Sequence, residues 1–138
     1  DSGSYILSLI YGYLLIEFFN KTEFLSSLFI VILVWYPCFE LLFSIIRKFK
    51  FNKSPIIADT KHFHQLLYLY IKKKYKLSAL KSNVTTAVLI NSYNFLSIFL
   101  ASIYYYNSQY QAMIIVINII VYFYIYLNLF KKIFLKNL

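Results

Sequence analysis

The stretch "VTTAVLINSYNFLSIFLASIYYY", residues 84–106, contains no charged side chain and decides the fold class. A helix rises about 1.5 Å per residue, so roughly 20 apolar residues cross the ~30 Å hydrocarbon core of a bilayer. A second uncharged stretch, residues 109–130, follows after only Asn107 and Ser108, a link short enough to force a hairpin. Upstream, residues 24–46 carry Glu40 as their one charge, and the shorter run 5–19 carries Glu17. In hydrocarbon every backbone N–H and C=O must be paired, and no strand-length alternation of a barrel is present. The expected fold is all-α transmembrane: one membrane domain of four helices, with a long basic loop over residues 47–83.

Composition agrees. The chain has 138 residues, of which 61% are hydrophobic, 22% aromatic and 14% charged, far from the balance of a soluble domain. Its formal charge is +9, and ten of its 14 basic residues fall in the 47–83 loop, with Lys131, Lys132 and Lys136 in the tail. Such clustering reports orientation and contact with anionic headgroups rather than nucleic acid. The positive-inside rule puts the loop and the C-terminus on the cytoplasmic side of a cell's inner (plasma) membrane, and counting back through the helices puts Asp1 there as well. Tyr104, Tyr105, Tyr106 and Tyr110 then belong at the outer interface. Cys38 is the single cysteine, which excludes an intrachain disulfide. The chain opens at Asp1 with neither an initiator methionine nor a basic signal region, so it is expected to be the C-terminal part of a larger multi-helix protein.

The polar exception is "SPIIADTKHFHQLL", residues 54–67. From Lys61 onward Phe63, Leu66, Leu67, Tyr70 and Ile71 recur at helical spacing before "KKKYK", which predicts an amphipathic helix over 61–75 lying on the inner membrane face. His62 and His64 share a face only if the backbone there is extended or turning. They read either as a joint site or as interfacial polar residues. Asp59 is placed to cap the helix, whose N-terminus would then suit phosphate oxygens. Arg47, Lys48 and Lys53 add positive charge there or snorkel to the interface. Glu40, three residues after the helix-kinking Pro37, needs a partner at membrane depth, and Arg47 on the same helical face is one candidate. Asp1, in "DSGS", is an N-cap or a Mg²⁺ ligand.

Three segments in order, "DSGS" before a membrane helix, "PCFELLFSIIRK" and "SPIIADTKHFHQLL", resemble the polyprenyl-phosphate N-acetylhexosamine-1-phosphate transferases of the glycosyltransferase 4 family. The resemblance spans roughly residues 1 to 75. It implies that Asp1 binds the catalytic Mg²⁺ (or Mn²⁺), that His62 and His64 are the catalytic histidines of a cytoplasmic loop, and that Asp59, Arg47, Lys53 and Lys61 bind substrate. It further implies transfer of a sugar-1-phosphate from a UDP-sugar to a polyprenyl phosphate, feeding a cell-wall or other surface polysaccharide. Glu40 stands where that family has Asp. Thr60 and Gln65 depart from an Arg and a third His. The competing expectation is a non-enzymatic helical membrane module, a transporter segment or assembly subunit, in which Glu40 and the loop serve packing.

Overall fold

The computed structural model describes residues 2–50 and 61–135. Among them every element is helical: α1 Ser2–Lys21, α2 Ser27–Leu33, α3 Trp35–Lys50, α4 Phe63–Tyr75, α5 Ala79–Ile103 and α6 Ser108–Phe130, closed by a π-helical turn Lys131–Leu135.

Two helices are long and apolar enough to cross a membrane, Ala79–Ile103 and Ser108–Leu135, and a third span results if α2 and α3 count as one, bent by 76°. The bend has a local cause. Pro37 has no N–H, and its ring crowds the carbonyl four residues back, that of Leu33. Val34 takes φ −114° and ψ 8°, off the helical values, and the helix restarts at Trp35. Tyr11 of α1 donates its hydroxyl to the Leu33 carbonyl at 3.4 Å, the acceptor that Pro37 leaves without a helical donor. The expected run 24–46 is therefore two helices rather than one. Helix α1 is not among the helices long and apolar enough to cross by that measure; its apolar side chains, among them Tyr5, Leu7, Leu9 and Ile16, are exposed, and it packs on α2.

Helix α6 runs through the core, where residues of α2, α3 and α4 and Ala101 of α5 pack against it. On α6 the buried positions Gln111, Ile114, Asn118, Tyr122, Tyr126 and Leu129 recur every three or four residues, one stripe of a helix surface. Helix α5 buries Ser82, Thr86, Ser97 and Ala101, small residues that let two backbones approach within apolar surroundings. Asn118 donates to Ser97 Oγ and accepts from Tyr93 Oη, both at 2.7 Å, while Gln111 donates to the carbonyls of Ala101 and Tyr104 at 2.8 Å. The hairpin between them is tight as expected, with the Asn107 side chain capping α6.

The two ends of the bundle differ in chemistry. Ser26, capping α2, donates its N–H to Tyr105 O at 3.0 Å, which ties α2 to the tyrosine hairpin. At the other end α4 packs on α5, α6 and the π turn, bringing Lys72, Lys73 and Lys74 to the same end as Lys132. One expectation is corrected there. Among its described residues the loop 47–83 is largely helical, because α3 runs on to Lys50 and α5 already starts at Ala79, its N-terminus capped by the Ser78 hydroxyl. The apolar stripe of α4 packs against the bundle. Phe63, Leu66 and Ile71 are buried, and Leu67 and Tyr70 pack on the same core, because α5 and α6 offer that stripe a closer apolar partner.

Candidate functional site

Where α3, the start of α4 and the second half of α6 meet, one buried carboxylate collects three donors. Glu40 Oε1 accepts the backbone N–H of Phe63 at 2.8 Å and lies 3.0 Å from His62 Nδ1; Oε2 accepts the Tyr122 hydroxyl at 2.7 Å. A carboxylate in apolar surroundings is tolerable only when its oxygens are met in this way. Arg47 was one candidate partner. Instead Arg47 Nη1 donates to the Lys61 carbonyl at 2.7 Å and to Tyr126 Oη at 2.6 Å, and its guanidinium lies over the Phe43 and Tyr126 rings at 5.5 and 5.7 Å. Residues 61–63 are thus held at successive points from α3 and α6.

The histidines come together because the backbone changes conformation between them. His62 is the extended N-cap of α4, with φ −67° and ψ 149°, and His64 belongs to the first helical turn. Their rings stack with centroids 5.7 Å apart and planes 18° from parallel. Gln65, standing where the resembled family has a third histidine, accepts the N–H of His62 at 3.2 Å and so helps close the helix start. His62, Gln65 and the carboxylate of Glu40 meet at this helix start, while Asp59 lies outside the described residues. The Phe63 N–H is accordingly committed to Glu40 rather than offered to a phosphate.

Beside His64 a cleft of about 780 Å³ opens between α4 and α5, lined by His64, Gln65, Tyr68, Asn83 and Thr86 among others. Burial pulls His64 below the ordinary imidazole value of 6.5; the Glu40 carboxylate opposes this and the His62 ring adds to it. The folded chain therefore takes up a proton at His64 less readily than the unfolded chain. Its contribution to stability is complete above pH about 6.5 and declines as the pH falls below that value. Titration of His64 by ¹⁵N NMR is expected to give a midpoint below 6.5, and His64→Gln is expected to flatten the loss of stability on acidification.

Of the remaining sequence candidates, Lys61 is anchored through its carbonyl, and its ammonium sits over the Phe130 and Phe134 rings at 5.8 and 5.6 Å. Asp1, Lys53 and Asp59 lie outside the described residues. Among the described residues no three of His, Cys, Asp and Glu cluster to hold a metal ion, and Glu40 already meets three donors, so these residues do not by themselves compose a Mg²⁺ site. Tyr122 and Tyr126 were missed from sequence. Their one signal is four-residue spacing within the α6 stripe that also contains Asn118.

Comparison of the chain with known protein families, with characterised proteins and with solved structures returns no match.

Proposed function

We propose that this chain is the C-terminal part of an integral-membrane transferase that moves a sugar-1-phosphate, of the N-acetylhexosamine class, from a UDP-sugar to a polyprenyl phosphate at the cytoplasmic membrane face. One observation carries the reading. Glu40 of "PCFELLFSIIRK" and His62 of "SPIIADTKHFHQLL", 22 residues apart, meet in a hydrogen bond of 3.0 Å, so two of the three segments that bear the resemblance form a single cluster. In the proposed reaction an oxygen of the lipid phosphate attacks the sugar-bearing phosphorus of the UDP-sugar. A new P–O bond forms and the bond to the bridging oxygen breaks, releasing UMP. Little covalent work falls to the protein in such a transfer; positioning and charge neutralisation dominate. His64 at the cleft, with the His62 ring stacked against it, supplies groups that bind anionic oxygens and hold or release a proton. The proposal includes Mg²⁺ as cofactor and Asp1 as its ligand.

The test is transfer of radiolabelled UDP-N-acetylhexosamine to a short polyprenyl phosphate by membranes expressing the protein in its full natural reading frame. Labelled lipid and an equal yield of UMP are expected, both dependent on Mg²⁺ and both lost in Asp1→Asn. Absence of UMP release across UDP-sugars rejects the reading.

A second reading has its own support. The carboxylate of Glu40 meets three internal donors, and Arg47 meets two internal acceptors, which is also how a purely structural clamp in a non-enzymatic membrane module is built. The same assay separates the two.

A further inference from the structure

We propose that Glu40 and Tyr122 are positioning residues for His62: together they select the imidazole tautomer protonated at Nδ1 and leave Nε2, on the opposite edge of the ring, as the nitrogen that meets substrate. The inference rests on the transferase reading for what Nε2 does, but not for how the ring is held.

The chemistry is dictated by donor and acceptor inventory. An ionised carboxylate only accepts hydrogen bonds, and neutral imidazole carries one N–H and one bare nitrogen. His62 Nδ1 lies 3.0 Å from Glu40 Oε1, so the proton must sit on Nδ1 for that contact to be attractive. Oε1 is kept from rotating away by the Phe63 N–H at 2.8 Å, and Oε2 is pinned by the Tyr122 hydroxyl at 2.7 Å. Tyr122 is itself fixed by its neighbours, its ring 4.9 Å from Phe39 and 5.0 Å from Phe63. Glu40 stands on α3 and Tyr122 on α6, so the orientation of the histidine at the start of α4 is set by two separate helices. The histidine side chain keeps 26% of its surface exposed while the carboxylate keeps 10%, which leaves the imidazole as the member of the pair that a ligand reaches. A carboxylate behind a histidine fixes tautomer and ring direction, and loss of such a support typically costs about 10- to 100-fold in the function it serves.

The experiment uses the protein in lipid nanodiscs with ¹⁵N-labelled histidine, about two pH units above the ordinary imidazole value so that the ring is neutral. The wild type is expected to show His62 as the Nδ1–H tautomer. Glu40→Ala removes the acceptor facing Nδ1 and is expected to lose the fixed tautomer; in Glu40→Gln the amide oxygen, held at the Oε1 position by the Phe63 N–H, still accepts from Nδ1–H and keeps it. Tyr122→Phe removes one pin and is expected to yield a mixture of tautomers. In transfer assays Glu40→Ala is expected to lower kcat about 10- to 100-fold with KM for the UDP-sugar little changed, and Glu40→Gln to recover most of the loss. An Nε2–H tautomer in the wild type, or an unchanged tautomer in both Glu40→Ala and Tyr122→Phe, overturns the proposal. If Glu40→Ala does not fold, Tyr122→Phe alone decides it by the same spectrum. A tautomer that behaves as described in a protein that transfers no sugar overturns the transferase reading and leaves the positioning intact.

Discussion

His62→Ala in the full-length protein is expected to lower transfer by about 100-fold or more in kcat, with membrane insertion unchanged. A positioned proton donor or acceptor contributes roughly 10²–10⁴ to a reaction rate, and His62 is the histidine that Glu40 orients. The fold does not depend on its ring. The Phe63 N–H still reaches Glu40, and the helices that carry the bundle, α5 and α6, are joined by the Asn118, Ser97, Tyr93 and Gln111 bonds elsewhere. Steady-state transfer with saturating UDP-sugar, alongside carbonate extraction of membranes, checks both halves. A kcat within about threefold of wild type removes His62 from the chemistry.

Arg47→Ala is expected to loosen the start of α4 without disturbing α5 and α6. The guanidinium holds the Lys61 carbonyl at 2.7 Å and Tyr126 Oη at 2.6 Å, two charge-assisted bonds made in a half-buried setting. Such bonds are worth about 1.5–3 kcal/mol, and Tyr126 retains a weaker hold of its own on the same carbonyl, at 3.2 Å. Amide exchange at Phe63 to Leu66 is accordingly expected to rise about tenfold or more, while amides from Ile114 to Tyr122 stay unchanged. Arg47→Lys should recover little, since an ammonium lacks the planar fork that spans two acceptors. Exchange that rises equally in α4 and α6 would show Arg47 to be a general support of the bundle instead.

These expectations come from different depths of reading. The helices α5 and α6 were legible because an uncharged run of membrane length has only one way to pair its backbone in hydrocarbon. The amphipathic helix was legible from its spacing, and Pro37 announced a bend. The partner of the amphipathic stripe was not legible, because an apolar face fits a bilayer surface or a protein surface equally well in sequence. Glu40 declared its need for a partner, yet the candidate chosen from sequence, Arg47, stands seven residues along the same helix, about 10 Å of rise away. The observed donors come from α4 and α6, which no intrahelical rule finds. Tyr122 and Tyr126 were hidden for a plainer reason: they are two of 15 tyrosines, and aromatic residues at membrane depth announce no role.

What the sequence determined alone was therefore what depends on local hydrogen-bond satisfaction and on the sorting of charge: helices as every element of the described residues, two of them long and apolar enough to span, a break near Pro37, and Lys72, Lys73, Lys74 and Lys132 at one end. What only the tertiary structure decided was which groups meet. A buried carboxylate binds whichever donors three-dimensional packing brings within about 3 Å, and that distance is set by the approach of α3, α4 and α6. Its donors stand 22, 23 and 82 residues away along the chain, separations on which no periodicity operates.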